Sequence, residues 1–376
     1  MTQHDSPSPP RSGPPRGAIL TAVAVCGAAV AGCAEDLPDE AVVEYPRVLS
    51  IRSEVVASPW VDPSLEIPSR TEAMPFETVR FDPLVASPVG REDVAGRAPA
   101  WIMCPRESGV TPLECWERAG VTQFSQLPMC PTAVDPTIGG AVPPCVVGRE
   151  PNATLSVPFS PHVLSGGDYE VLFVAGGGGV STEQCADEFF SGAVDLPDAC
   201  IYAYRAQKVG PIGAVLNLAH ETDPGLVEMF VPGFEPLGAE EVGEADRNVR
   251  IKTVTVERLA EGQDRGQPVV VEDGALIDMT GVDRAKVSFE THAEDYQTFK
   301  IPVNEGEGFE LFPEEPENQW FRTSGDMEYV ENAQGRLTYI WGPGDERPEP
   351  GRIVYLFAVA RDYRYGTDFR WLGLRF

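Results

Sequence analysis

Residues 351–376 read GRIVYLFAVARDYRYGTDFRWLGLRF, and this stretch decides the fold. Gly351–Ala360 is apolar on both alternating faces, as a strand buried between neighbours is. Arg361–Gly366 then turns polar and aromatic, with Asp362 and Gly366 suited to a turn, and Phe369–Phe376 returns as a second strand. Upstream, Val287, Phe289 and Thr291 alternate with Lys286, Ser288, Glu290 and His292, and Phe299, Ile301 and Val303 alternate around Lys300. That period of two predicts half-buried antiparallel strands.

Working outward, strand-like runs rich in Val, Ile, Phe and Tyr occur at Arg47–Ala57, Phe76–Ala86, Pro99–Cys104, Ala153–Pro158, Tyr169–Ala175 and Cys200–Val209. The chain carries 37 Gly and 36 Pro, about a fifth of its residues, which argues against a helical bundle. Two short helices are expected among the cysteines. Thr111–Pro112–Leu113–Glu114 has the form of a capping box, with Gly120 as its stop. Ser181–Thr182–Glu183–Gln184 opens the other and places Cys185 and Phe189 on one face. Glu235–Asp246 holds five acids and marks a domain boundary.

The N-terminus is an export signal. Arg11 and Arg16 precede the apolar run Ala18–Gly32, which is followed by Cys33. Fifteen helical residues would span only about 22 Å against a hydrocarbon core of about 30 Å, too short for a membrane span. Val30–Ala31–Gly32–Cys33 resembles the lipobox of bacterial lipoproteins. The resemblance implies acylation of Cys33, cleavage between Gly32 and Cys33, and residence at the outer membrane, since Ala34 rather than Asp follows.

The formal charge is −29, from 29 basic and 58 acidic residues. Losing Arg11, Arg16 and Asp5 with the leader leaves 27 and 57, a net charge of −30. Such a surface repels phosphates, which excludes a nucleic-acid binder. Removing Cys26 and acylating Cys33 leaves Cys104, Cys115, Cys130, Cys145, Cys185 and Cys200. An even number in an exported chain reads as three disulfides. About 15 connectivities are open to six cysteines, of which we favour 104–115, 130–145 and 185–200 because each closes a short loop. No C-x-x-C occurs, so no metal is assigned to them.

The stretch from about 250 to 376 resembles immunoglobulin-like and PKD-like bacterial surface domains. The likeness rests on the final hairpin and on Trp320 in Gln319–Trp320–Phe321. It departs from the PKD pattern at Trp320–Gly325, and no cysteine pair flanks Trp320 as in antibody domains. With its lipobox and RVLSIR first strand, the whole chain resembles lipoproteins of GC-rich Gram-negative bacteria; only 4 of its 29 basic residues are Lys. That likeness implies location and architecture and supplies no activity.

The expected protein is mostly β: two immunoglobulin-like β-sandwich domains, the first with a disulfide-rich insertion holding short helices. Its parts are a signal peptide (1–32), an acidic tether (33–46), a β-sandwich domain (47–232) with the insertion at about 104–200, an acidic linker (233–248) and a second β-sandwich (249–376).

Signatures of catalysis are missing. No HExxH, GxSxG or GxxxxGK[ST] occurs, so zinc peptidase, α/β-hydrolase and P-loop readings lack their anchors. Of the histidines left after processing (His162, His220, His292), His292 lies on a polar strand face beside Glu290, and His220–Glu221 lies near Asp223. Gly176–Gly179 follows a strand but lacks the lysine of a phosphate loop, and reads as a turn. Glu235–Asp246 and Glu305–Glu317 have the carboxylate density that Ca²⁺ favours without EF-hand spacing. No cofactor is therefore expected, Ca²⁺ being the one candidate. Tyr363, Arg364, Tyr365, Arg370 and Trp371 form a candidate ligand patch, of a kind that suits sugars or peptides. The expectation is a non-catalytic envelope protein with the membrane, an envelope protein or a glycan as partner. A hydrolase using loop carboxylates, or a Ca²⁺-stiffened spacer, is the alternative.

Overall fold

The computed structural model describes residues 41–131, 140–192, 198–302, 309–333, 336–344 and 347–376. The leader, Gly32, Cys33 and the tether up to residue 40 lie outside the described residues. The N-terminal half forms β1 (Arg47–Ala57), β2 (Thr78–Ser87), β3 (Gly90–Arg91), β4 (Ala100–Arg106), α1 (Glu114–Arg118), β5 (Cys145–Gly148), β6 (Thr154–Ser156), α2 (Pro161–Leu164), β7 (Asp168–Ala175), α3 (Thr182–Phe190), β8 (Ile201–Gln207), α4 (Ile212–Thr222), α5 (Pro224–Phe230) and α6 (Ala239–Val242). The C-terminal half adds β9 (Ile251–Leu259), β10 (Pro268–Val271), β11 (Ala275–Asp278), β12 (Arg284–Thr291), β13 (Thr298–Pro302), β14 (Phe309–Pro313), β15 (Gln319–Arg322), β16 (Asp326–Ala333), β17 (Arg336–Gly342), β18 (Ile353–Arg361) and β19 (Thr367–Arg375). The protein is mostly β, as the alternation and the Gly and Pro content require. Among the described residues no helix is long and apolar enough to cross a membrane.

In the N-terminal half, β1, β2 and β3 form one antiparallel sheet with β6 beside β2, and β5–β4–β7–β8 form a second. Their facing sides share a core around Trp101, whose indole stacks on Phe81 at 5.6 Å and meets Phe173 edge-on at 4.8 Å. The other face of the second sheet is covered too. Ile102, Leu172 and Val174 pack there against Cys115, Trp116, Cys185 and Cys200. Burial on both faces explains why every residue of β7 (DYEVLFVA) is inaccessible.

The cysteine-rich region therefore serves as a lid on a sheet. Its pairs lie at disulfide distance: Cys104–Cys115, Cys130–Cys145 and Cys185–Cys200, with Cα–Cα separations of 6.1, 4.9 and 5.7 Å. Helix α3 starts where the capping box places it. Gln184 N–H donates to Ser181 Oγ at 3.2 Å, and Ser181 N–H donates to Gln184 Oε1 at 2.9 Å. The expected box at Thr111 does not cap α1. That helix begins at Glu114 behind Leu113 at φ 71°, and the buried carboxylate of Glu170, on β7, takes the Leu113 N–H at 2.8 Å instead. A tertiary acceptor displaces the local one.

Helices α4 and α5 lie outside the two helices expected from the sequence, although Ile212, Val215, Leu216 and Ala219 follow a helical spacing. Asp223 Oδ1 accepts from Leu226 N–H at 3.1 Å and caps α5, with Pro224 in the first turn. Gly213 stands where a Cβ would meet the backbone of Val242 at 3.0 Å, so α4 and the end of α6 approach closely.

The C-terminal half pairs an antiparallel sheet, β10–β9–β12–β17–β16, with the sheet β11–β19–β18–β15, in which β11 runs parallel to β19. One core joins them, with Val256, Val287, Phe289 and Trp341 from the first and Trp320, Leu356, Ala358 and Leu372 from the second. Ala285, Val287, Phe289 and Thr291 are the buried parity of β12, as read from the sequence. The other parity of β18, Phe357 and Val359, meets Leu49, Leu84 and Ala86 of β1 and β2. The two-faced apolar strand is thus covered by the N-terminal half, and Ala41–Phe376 clusters as one unit.

Two stretches expected as connectors contribute to that unit. Val43, near the end of the tether, is fully buried and donates its N–H to the Arg322 carbonyl at 2.7 Å. Asp246 and Asn248, in the stretch 233–248, are buried as well.

Candidate functional site

A knot of charge lies where the two halves meet, and each member arrives from a different part of the chain. Glu72 and Arg70 come from the β1–β2 connection, Arg205 from β8, Asp246 from the approach to β9, Glu314 from just after β14, and Asp362 and Arg364 from the β18–β19 turn. Backbone pairing brings the segments together. Thr71 N–H donates to the Asp246 carbonyl at 3.0 Å, and Asp246 N–H donates to Glu72 Oε2 at 2.9 Å.

The turn is built by its own aspartate. Asp362 Oδ1 accepts from Arg364 N–H at 2.8 Å and from Gly366 N–H at 2.7 Å. Gly366 has no room for a side chain, because a Cβ there would run into Asp362 Oδ2. The reading of Asp362 and Gly366 as turn residues holds for one carboxylate oxygen; the other faces the knot.

Asp246 is 1% and Asp362 5% exposed. Burial, and then the charge of Asp362, holds the Asp246 carboxyl far above the usual carboxylate range. Burial, and then the charge of Glu314, raises Asp362 too. Arg364 answers part of this. Its Nε donates to Glu314 Oε1 at 2.5 Å, and its Nη2 lies 3.1 Å from Asp246 Oδ1. Arg205 is buried, donates to the carbonyls of Ile51 and Tyr365 and to Thr71 Oγ1, and has its pKa lowered by that burial.

Beside the knot opens a cleft of about 460 Å³, lined among others by Tyr204, Arg205, Arg361, Asp362, Tyr363 and Tyr365. Three rings remain available to a ligand: Tyr204, Tyr363 and Tyr365 are 50%, 47% and 40% exposed. Tyr365 holds a left-handed backbone, φ 82°, which costs a non-glycine residue about 1–2 kcal/mol. Lys208 Nζ sits 5.3 Å from the centre of its ring. Arg106 and Glu170 line the cleft as well. Arg106 grips Asp168 with two bonds, 2.8 and 2.6 Å, and Lys208 Nζ adds a third at 2.7 Å. Burial pushes Asp168 up, but these cations outweigh it and its pKa is lowered.

The expected ligand patch divides. Tyr363 and Tyr365 line the cleft, while Arg364 turns inward to its carboxylates. Arg370, on β19, pairs with Asp368 at 3.1 Å, and Trp371 packs beside Tyr355 at 6.0 Å. Neither Arg370 nor Trp371 lines the cleft. Tyr204 and Arg205 carry no local signal of this site, because they arrive from a strand 160 residues away from Tyr363–Tyr365.

The carboxylates and histidines weighed for catalysis are dispersed. Glu221 is exposed on α4, and His292 Nδ1 is 2.9 Å from its neighbour Glu294. Ser160 Oγ approaches His162 Nδ1 at 2.5 Å, a spacing that a nucleophile and base would use. Yet Ser160 is fully buried, and His162 Nε2 meets the Asp168 carbonyl at 3.1 Å. The pair braces the entry to α2, and burial lowers the His162 pKa. The turn at Gly176–Gly179 closes with Val180 N–H donating to the Gly177 carbonyl at 2.9 Å.

A scan of protein-family models, a search of curated proteins and a search of solved structures each found no match to this chain.

Proposed function

We propose that this chain is a lipid-anchored, non-catalytic protein of the bacterial cell envelope, held at the outer membrane through Cys33, and that its cleft binds an envelope glycan. Two immunoglobulin-like β-sandwiches form its frame. In the second, β9–β12–β17–β16 stand in the A-B-E-D order and β15–β18–β19 in the C-F-G order of such a domain. Trp320 then falls on the C strand, where that fold keeps its core tryptophan. The anchor rests on Val30–Ala31–Gly32–Cys33.

The cleft carries the binding reading. Its exposed tyrosines offer rings for stacking, and Arg361 and the main-chain groups of the turn offer polar partners. A concave site of this size favours a short glycan over a protein face, which needs about 1,000 Å² of contact. The test is cosedimentation of the full chain, purified in detergent, with isolated peptidoglycan and with lipopolysaccharide. Tyr204→Ala with Tyr363→Ala should weaken binding at least tenfold without lowering the melting temperature. Failure of the wild-type protein to bind either glycan, or binding unmoved by the double variant, would refute the assignment.

A further inference from the structure

The charge knot is short of positive charge, and two of its oxygens are left over. Its carboxylates are Glu72, Asp246, Glu314 and Asp362, with buried Glu77, from the end of the β1–β2 connection, joined through its ion pair with Arg70; its guanidiniums are Arg70, Arg205 and Arg364. With all five ionised, five against three leaves a deficit of two. Lys208 and Arg106 do not repair it, since the carboxylates of Asp168 and Glu170 balance them.

The deficit has a place. One oxygen each of Asp246, Glu314 and Asp362 lies within 4.8 Å of the other two, and all three side chains are buried. Glu314 is hydrogen-bonded at both oxygens, by Arg364 and by Gln297 N–H. Asp362 Oδ1 holds the turn, and Asp246 Oδ1 faces Arg364. Asp246 Oδ2 and Asp362 Oδ2, on side chains more than nine-tenths buried, take no hydrogen bond. A buried anionic oxygen without a donor costs several kcal/mol of lost hydration, which a bound cation or a shared proton removes.

We propose that Asp246, Asp362 and Glu314 hold a divalent cation, Ca²⁺, between the two halves of the protein. The donors are hard carboxylate oxygens, and Ca²⁺ tolerates an irregular set completed by water where Mg²⁺ demands near-octahedral geometry. Arg364 approaches from one side, and Asp362 also lines the cleft, which gives a hydrated ion its way in. The ion joins three segments that lie far apart in the chain, and it fixes the turn that carries Tyr363 and Tyr365. Two acid-rich stretches in the sequence had Ca²⁺-like composition; the structure draws one residue from each, Asp246 and Glu314, and adds Asp362.

The full chain in detergent, stripped with chelator and dialysed, should bind one Ca²⁺ per chain by equilibrium dialysis. Its melting temperature should rise by about 5 °C at saturating CaCl₂, reversed by chelator, and less with MgCl₂. Asp246→Asn and Asp362→Asn should each abolish the binding while melting no lower than the chelated wild type, since each relieves repulsion. Glu235→Gln, in the exposed part of an acid-rich stretch, should leave binding intact. Ca²⁺ uptake retained by both asparagine variants would overturn the site. So would an absence of Ca²⁺ uptake with stability set by pH alone, which would place a shared proton between the aspartates. These readouts involve no glycan, so failure here and failure of the cleft assignment are separable.

Discussion

Arg205, on β8, donates from Nη2 to the main-chain oxygen of Tyr365 at 2.5 Å, across 160 residues of chain. The same guanidinium reaches the Ile51 carbonyl and Thr71 Oγ1. One buried cation therefore ties the N-terminal sheets to a strained turn of the C-terminal half. The cleft lies along this junction, so its shape depends on contacts that no single half could supply.

Replacing Arg205 with Met should destabilise the protein by about 3–5 kcal/mol, because it strands three acceptors and removes a cation from a knot already rich in carboxylates. Urea unfolding, read by tryptophan fluorescence, checks this. A loss within 1 kcal/mol would mean that the turn is held by other means.

The aspartates set a pH dependence in chelated protein. Their carboxyls are raised in the folded state, by burial and then by neighbouring carboxylates, so the native form binds protons more tightly than the unfolded chain. Stability should be greatest at low pH on their account and should fall as pH climbs above the ordinary carboxylate range of about 4. Asp246→Asn should flatten that fall, measured by urea midpoints from pH 5 to 9. An equal slope in the variant would remove Asp246 as its source.

Asp168 acts in the opposite sense. Its pKa is lowered by Arg106 and Lys208 despite burial, so its contribution is present above the unfolded value near 4 and is lost as pH falls through the lower folded value. Arg106→Gln breaks a buried bidentate pair and should cost about 3 kcal/mol at pH 7. The cost should shrink on acidification, which melting curves from pH 7 to 3 would show.

Converting Cys185 and Cys200 together to Ala should cost about 3 kcal/mol, because their bridge closes a loop of 15 residues that lids the second sheet. Chemical unfolding of the double variant, with and without reductant, isolates this bridge from the other two.

Features decided by near neighbours in the chain are legible in the sequence, and those decided by distant ones are not. Period-two burial in β12, the two-faced apolar strand β18 and the Ser181 cap were legible because each is decided by neighbours in the chain. The Thr111 box failed because Glu170, 57 residues away, satisfied the Leu113 N–H first. Helix α4 has apolar spacing in the sequence, but Pro211 and Gly213 at its start blur that signal. The candidate site was half visible. Tyr363 and Tyr365 stood out as aromatic, but Arg364 reads in sequence as part of the same patch and in space belongs to Asp246 and Glu314. Only folding brings Glu72, Arg205 and Asp362 together, and no local pattern encodes that meeting.

Anchoring through Cys33 is tested most directly by the intact mass of protein extracted from membranes. A lipid-anchored chain has the mass of residues 33–376 plus acyl groups, with six thiols appearing only after reduction. A chain that keeps residues 1–32, or one that is cleaved yet carries no lipid on Cys33, would contradict it.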